Sequence, residues 1–155
     1  MTADRSDDVR RAIDNGGAYT MVSGKSIRDD GKVADLVRVW VVDDEASFRR
    51  ATAATLAAMD DFVMAGECET GETAIEQIPD GDADIVLMDI HMPGMGGIEA
   101  ARHISAARAD VMIVLMSTYD VEDLPVSASV CGAASYLHKE RLSPDLLRRI
   151  WRSGA

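Results

Sequence analysis

From Val37 onward, the chain alternates short apolar runs with segments in which apolar residues recur every three or four positions. Five runs predict β-strands, at residues 37–42, 62–65, 85–88, 111–116 and 134–137. The helical spacing predicts helices near residues 48–59, 74–78, 98–104, 122–130 and 144–151. Continuous apolar strands that alternate with helices indicate a parallel sheet covered on both faces. The predicted fold is therefore α/β, a doubly wound five-stranded parallel sheet in three layers.

The first 35 residues have a different composition. They contain seven acidic and six basic residues, several glycines and few large apolar side chains. Such a segment buries too little apolar surface to offset the entropy lost on ordering. We expect residues 1–35 to form a mobile polar arm and residues 36–153 to form one folded domain.

The formal charge of −11 argues against two kinds of binding partner. It argues against direct binding of nucleic acid and against docking on an anionic membrane, because both need clustered Lys and Arg. No apolar run approaches the ~20 residues of a membrane span, and the N-terminus lacks the apolar stretch of a signal peptide. The two cysteines, Cys68 and Cys131, belong to no recognisable motif, so we expect free thiols in a cytoplasmic protein.

Four of the five predicted strands end at polar or charged residues. These are Asp43 and Asp44 after the first strand, Asp89 after the third, Ser117 after the fourth and Lys139 after the fifth. In doubly wound sheets, ligands bind beyond the carboxyl ends of the strands. Each residue also has an ordinary explanation: Asp44 as a helix cap, Asp89 and Ser117 as turn residues, and Lys139 as a solvated charge.

Taken together, these side chains indicate a site for phosphoryl transfer. Three carboxylates at one edge repel one another unless a cation or a lysine lies among them, and Mg²⁺ is the cation that prefers such oxygen ligands. Asp43 and Asp44 would hold Mg²⁺, and Asp89 would attack phosphorus. The Ser117 hydroxyl and the Lys139 ammonium would receive the phosphoryl oxygens.

Four sequence segments resemble, in order and spacing, the signatures of response-regulator receiver domains of two-component systems. They are VVDDE (41–45), DIVLMDIHMPGMGG (84–97), VLMST (114–118) and GAASYLHKE (132–140). The resemblance covers residues 36–153. The continuation of the last segment, through RLSPDLLRRI, is similar to receivers of the NarL/LuxR-type branch. Glu140 stands where many receivers have proline, and Thr118 where a smaller alanine is frequent.

The resemblance implies a flavodoxin-like fold with strand order 2-1-3-4-5. It implies transfer of a phosphoryl group from a sensor histidine kinase or a phosphotransfer protein to an aspartate, with Mg²⁺ as cofactor. Such a domain is a signalling phosphoprotein rather than an enzyme, and it catalyses only its own phosphorylation and dephosphorylation. By position, the resemblance assigns Asp89 as phosphoacceptor, Asp43, Asp44, Asp89 and the His91 carbonyl as metal ligands, Lys139 as the phosphate partner, and Ser117 and Tyr136 as switch residues.

Two interpretations of the output remain. In the first, which we favour because the sequence ends soon after its last predicted helix, a stand-alone receiver switches a protein-interaction surface. Its partners would be a downstream protein target and, as a homodimer, a second copy. In the alternative, the chain is the receiver part of a NarL/LuxR-type DNA-binding transcription factor whose helix-turn-helix domain is absent here.

Two other classes of protein fit the sequence less well. A flavin-binding module of the same fold needs a hydroxyl-rich phosphate loop after the first strand, where this chain has Asp43, Asp44 and Glu45. A phosphatase of the haloacid dehalogenase type carries its nucleophilic aspartate on the first strand, with a second acid two residues later. The adjacent pair Asp43 and Asp44 has the wrong spacing for that arrangement.

Overall fold

The computed structural model describes residues 20–22, 25–27, 33–120 and 124–154. The strands of the main sheet are β1 (Val37–Val42), β2 (Phe62–Cys68), β3 (Ile85–Asp89), β4 (Met112–Ser117) and β5 (Ser135–His138). The helices are α1 (Ala46–Ala57), α2 (Gly71–Gln77), α3 (Gly97–Ala107) and α4 (Pro144–Gly154). Two short 3₁₀ turns cover Val126–Ser129 and Lys139–Arg141.

All five strands of the main sheet are parallel. Their spatial order is β2-β1-β3-β4-β5, which is the predicted order 2-1-3-4-5. The order reverses between β1 and β3, where Val39–Val42 pair with Ile85–Met88. This reversal opens a crevice beyond the carboxyl ends of the two strands. The predicted flavodoxin-like fold is therefore confirmed.

Apolar side chains are buried on both faces of the sheet. Every residue of β3 and β4 is buried. Along β3, Val86 and Met88 pack toward one face, which α2 and α3 cover, while Ile85 and Leu87 pack toward the face that α1 and α4 cover. This alternation follows from the two-residue repeat of a strand, and it explains why the central strands are apolar throughout.

Trp40 fills a cleft at one side of the sheet. Its half-buried ring lies over two glycines: a Cβ atom on Gly66 would lie 2.6 Å from the ring, and one on Gly81 would lie 2.9 Å from it. The indole N–H donates to the Asp82 carbonyl at 3.3 Å. The register between β1 and β2 shifts at this position. Because the two glycines have no side chain, they leave the room that the indole ring requires.

The prediction of an α-helix near residues 122–130 is wrong for the described part of that segment. The described part of this segment contains only the 3₁₀ turn Val126–Ser129, and residues 121–123 lie outside the described residues. Pro125 adopts extended dihedral angles and has no N–H to donate. The β-branched and serine residues that follow are weak helix formers, so they do not extend the turn.

The N-terminal segment is described only in part. Residues 20–22, 25–27 and 33–35 form a separate three-stranded antiparallel sheet. The other residues of the predicted mobile arm lie outside the described residues, so its mobility stays a prediction. Across the described ranges, no helix has the length and apolar character needed to cross a bilayer.

Candidate functional site

Three carboxylates meet beyond the carboxyl ends of β1 and β3. Asp43 follows β1, and Asp89 is the last residue of β3, so the neighbouring strands bring the two side chains to the same edge. A carboxylate oxygen of Asp43, of Asp44 and of Asp89 all lie within 4.8 Å of one another. Asp43 and Asp89 are buried, whereas Asp44 is exposed at the mouth of the crevice. The cluster that the sequence predicts is therefore formed.

Lys139 places a cation inside this cluster. Its Nζ atom lies 2.6 Å from Asp43 Oδ2 and 3.3 Å from Asp89 Oδ2, and 4.7 Å from the centre of the Phe48 ring. The lysine side chain is only 8% exposed, so the alternative of a solvated surface charge is wrong. One ammonium faces two buried carboxylates and can neutralise only one of them, which leaves the site with excess negative charge.

Burial changes the ionisation of these groups. Burial raises the pKa of Asp89 to about 6, repulsion from Asp43 acts in the same direction, and Lys139 opposes both. Burial acts to lower the pKa of Lys139, but its hydrogen bond to Asp43 and the charges of Asp43 and Asp89 outweigh burial and raise that pKa. The lysine therefore remains an ammonium. Without a metal, ionisation of Asp89 costs more free energy in the folded protein than in water.

The two buried carboxylates are oriented by the backbone that follows each of them. Asp43 Oδ1 accepts the Glu45 N–H at 2.8 Å, and Asp89 Oδ1 accepts the His91 N–H at 3.1 Å. Both residues therefore do form turns, as the ordinary explanation held for Asp89. The turns occupy only the Oδ1 atoms, and both Oδ2 atoms point to Lys139. Each of the two carboxylates therefore forms a turn with one oxygen and contributes to the site with the other.

Asp44 does not cap helix α1. The cap residue is Glu45, which makes no side-chain capping bond. The Asp44 carboxylate is exposed and lies with the other two acids. Three carboxylates are hard oxygen donors, the kind that Mg²⁺ prefers, and they form the metal-capable cluster of the described residues. The donor set therefore fits a divalent cation of the magnesium type.

The glycines after Asp89 allow the chain to pass close to the site. Gly94 and Gly96 have φ values of 81° and 78°, which favour glycine. A Cβ atom on Gly97, the first residue of α3, would lie 1.9 Å from the Asp89 carbonyl oxygen. The Gly97 N–H donates to the Ile90 carbonyl at 3.0 Å. Small residues are thus needed because α3 begins against the end of β3.

The loop after β4 is held by side chains of β5. The buried Ser117 hydroxyl accepts the Tyr119 N–H at 3.0 Å, which is the turn that the ordinary explanation predicts. The hydroxyl of the half-buried Tyr136 donates to the Tyr119 carbonyl. His138 Nε2 lies 2.9 Å from the Thr118 carbonyl oxygen. The two predicted switch residues, Ser117 and Tyr136, therefore meet through Tyr119.

The His91 side chain contacts an aromatic residue of the loop after β4. Its exposed ring packs edge-on against Tyr119, with ring centres 4.8 Å apart and planes inclined by 68°. Tyr119 is itself 53% exposed. The backbone of His91, two residues after the end of β3, is the part of the residue that lies at the acidic cluster. Two aromatic rings from different loops therefore stand together at this edge of the sheet.

Sequence reasoning missed Arg49, which lies under the site. Its guanidinium is buried and contacts Asp43, Glu67 and Glu69. The signal was present, because Arg49 shares the inward-facing stripe of α1 with the buried residues Thr52 and Leu56. A charged residue in that stripe is buried only when it is paired, so its presence predicts an ionic or hydrogen-bonding partner.

The comparisons with known proteins agree with this geometry. The sequence model of the response regulator receiver domain matches residues 39–151. The response regulator UvrY of Escherichia coli (strain K12) is 36% identical over 115 residues, which are 74% of this chain and 53% of that protein. The chain therefore spans about half the length of the curated relatives that it matches.

Solved structures show the same similarity. The signal receiver domain of a response regulator named NarL from Mycobacterium tuberculosis superposes with a TM-score of 0.68 and 26% identity, covering 78% of this chain and 98% of that one. The response regulator TrrA from Thermotoga maritima, in complex with Mg(2+)-BeF, gives 0.66 and 28%, covering 76% and 98%. The chain belongs to the response regulator receiver domains of two-component systems.

Proposed function

We propose that this receiver domain accepts a phosphoryl group on Asp89, in a Mg²⁺-dependent transfer from a sensor histidine kinase or a phosphotransfer protein. The observation that carries the proposal is the convergence of the Asp43 and Asp89 Oδ2 atoms on the Lys139 ammonium. A buried, unbalanced cluster of carboxylates beside one lysine has room for one more cation and for an anion that the two cations share.

Mg²⁺ would be held by Asp43, Asp44, Asp89 and the His91 carbonyl. When bound, it would neutralise the carboxylates and the incoming phosphoryl group. The complex of the relative TrrA with Mg(2+)-BeF supports this choice of metal.

The side chains of the protein have separate roles in the transfer. Asp89 Oδ2 forms a bond to phosphorus, while the bond from phosphorus to the donor's imidazole nitrogen breaks and the nitrogen keeps the electron pair. Lys139 already lies beside Asp89 Oδ2 and would bind a phosphoryl oxygen without moving far. The Ser117 side chain would rotate so that its hydroxyl donates to another phosphoryl oxygen and no longer accepts the Tyr119 N–H.

The exchange at Ser117 would release the loop that Tyr136 holds through the Tyr119 carbonyl. A change at this loop alters the surface formed by β5 and the 3₁₀ turn Val126–Ser129, where the exposed Val126 and Val130 stand. We therefore place the output at this surface, with a downstream protein or a second copy as its partner.

One observation supports a second candidate function. The chain spans about half the length of UvrY and resembles a NarL receiver, so it would also fit as the receiver part of a NarL/LuxR-type DNA-binding transcription factor. In that case, the partner of the output surface would be the DNA-binding domain of the same polypeptide. Sequencing the coding region beyond Ala155 distinguishes the two.

The test is intact-protein mass after treatment with acetyl phosphate. We expect the mass of one phosphoryl group to be added in Mg²⁺ and none in EDTA. Asp89→Asn should abolish the addition, and Asp44→Asn should raise the Mg²⁺ concentration required. The exposed loop residue Asp80 provides a control, since Asp80→Asn should behave as the wild type does. Undiminished labelling of Asp89→Asn would contradict the proposal.

A further inference from the structure

Arg49 makes three contacts in three directions from one buried guanidinium. NH1 donates to the Asp43 main-chain carbonyl at 2.6 Å, Nε to Glu67 at 3.3 Å and NH2 to Glu69 at 3.3 Å. The arginine side chain is 8% exposed, whereas the two glutamates are 54% and 76% exposed. The planar fork of an arginine suits this arrangement, which a lysine ammonium at the end of a flexible stem does not reproduce.

The contact to Asp43 differs in kind from that made by Lys139. Lys139 contacts the carboxylate, so it occupies an oxygen that a metal would use. Arg49 contacts only the main-chain carbonyl and leaves both carboxylate oxygens to other partners. Its charge is matched by Glu67 and Glu69 on the far side. Arg49 can therefore hold the loop without competing with the cation.

The backbone of Asp43 is held at both its N–H and its carbonyl. Its N–H donates to the carbonyl of Cys68, the last residue of β2, at 3.1 Å, and its carbonyl accepts from Arg49. The Arg49 N–H in turn donates to the Glu45 carbonyl at 3.2 Å. The loop that carries Asp43 and Asp44 is thus tied to β2 and to α1 together.

From these contacts we propose that Arg49 is a positioning residue, which holds the Asp43–Asp44 loop in the geometry that binds the divalent cation. The metal-binding part of this inference rests on the proposed function. In this role, Arg49 would contact neither the metal nor the phosphoryl group.

Charge and position predict opposite effects when Arg49 is replaced. Arg49→Gln removes a positive charge beside a cation site, so electrostatics alone would strengthen Mg²⁺ binding. Loss of the tie to Asp43 would weaken it. The sign of the change therefore separates a positioning role from a purely electrostatic one.

The main measurement is Mg²⁺ affinity by isothermal titration calorimetry, on protein that urea titration shows to be folded. We expect Arg49→Gln to weaken binding about tenfold or more, as loss of a partner that orients metal ligands typically does. Arg50→Gln is the matched control, because Arg50 is the next residue and is exposed. It removes the same charge and should leave the affinity unchanged or slightly stronger. Arg49→Lys keeps the charge and should fall between the two.

A second measurement needs neither metal nor phosphate. The Glu45 N–H donates to the Asp43 side chain, so its hydrogen exchange in EDTA reports the order of the loop. Arg49→Gln should accelerate this exchange relative to amides of α1, while Arg50→Gln should not. If Arg49→Gln does not fold, both the Mg²⁺ affinity and the Glu45 exchange are measured on Arg49→Lys instead.

The outcomes distinguish this inference from the proposed function. Folded Arg49 variants with unchanged or stronger Mg²⁺ binding and unchanged Glu45 exchange would overturn the positioning role. Failure of the wild type to take up a phosphoryl group would instead overturn the proposed function, and the Glu45 exchange would still test how Arg49 orders the loop.

Discussion

At the scale of single residues, the ionised form of Asp89 is unfavourable in the folded protein. Its pKa is about 6 because the carboxylate is buried and lies near Asp43. The folded state therefore prefers the protonated form more than the unfolded chain does. The resulting stabilisation is complete below about pH 4, where both states are protonated, and it is lost as the pH rises through about 6.

This sign gives the first prediction, for metal-free protein. Asp89→Asn should increase the free energy of unfolding by about 3 kcal/mol at pH 8, because it removes the buried charge. The gain should shrink toward zero at pH 4. Urea unfolding in EDTA at the two pH values measures the difference. Asp80→Asn, at an exposed position, should show no such pH dependence. A gain that is equal at both pH values would contradict the assignment.

Gly97 gives the second prediction. A methyl group there would overlap the Asp89 carbonyl oxygen, and backbone atoms on both sides must move to admit it. We expect Gly97→Ala to destabilise the domain by about 3 kcal/mol and to slow phosphorylation by acetyl phosphate. In Gly154→Ala, the added atom meets only the end of the flexible Met112 side chain, so stability should change little. Equal effects of the two substitutions on unfolding would show that the close approach at Gly97 is not a constraint.

At the scale of elements, two loops bring His91 and Tyr119 into contact at the edge of the site. An acyl phosphate on Asp89 is lost when water attacks in line, so bulky side chains near the phosphoryl group should slow the loss. Tyr119→Ala should therefore shorten the lifetime of the phosphorylated form, measured by intact mass over time. The competing expectation is that neutral His91 acts as a general base toward this water. A longer lifetime in His91→Ala would favour that role.

The 3₁₀ turn Val126–Ser129 gives the fourth prediction. Two neighbouring valines, Val126 and Val130, are 83% and 71% exposed, so little burial supports this element. Its amides should exchange faster than those of the helix Ala46–Ala57, because local opening costs less where few apolar contacts form. Hydrogen exchange followed by mass spectrometry makes the comparison. Equal protection in the two segments would mean that this element is not the marginal one.

The same elements show what the sequence could predict. The central strands were located to within about two residues because both faces are apolar, and four of the five site side chains are the last residue of a strand or the residue directly after it. The segment after β4 was misjudged because Pro125 and weak helix formers outweighed its apolar spacing. Arg49 was missed because its partners lie 18 and 20 residues away, on a different element.

At the scale of the whole molecule, a few ion pairs join distant parts of the fold. Arg148 of α4 donates to both oxygens of Asp61, just before β2, at 2.8 and 3.0 Å and across 87 residues. Arg38 of β1 makes similar contacts with Asp84, just before β3. These pairs lie at the amino ends of the strands, so the repulsive cluster of acids at the carboxyl ends is opposite attractive pairs at the other edge of the sheet.

This distribution gives the fifth prediction. A cation that binds only the folded state raises the free energy of unfolding, by about 2.7 kcal/mol at one hundred times its dissociation constant. Mg²⁺ should therefore stabilise the wild type against urea, and Asp43→Asn should lose most of this gain. The exposed-residue control Asp80→Asn should retain it. Stabilisation of Asp43→Asn equal to that of the wild type would place the cation elsewhere.

The indole of Trp40, which packs on Gly66 and Gly81, makes fluorescence a probe of whether the sheet is intact. The chain has only two tryptophans, and the other, Trp151, lies on α4. With Trp151 changed to Phe, the remaining tryptophan fluorescence comes from one ring, which packs on the backbone of Gly66 only while β1 and β2 are paired. Emission from this single ring then separates loss of the sheet from loss of the metal site, in every variant considered above.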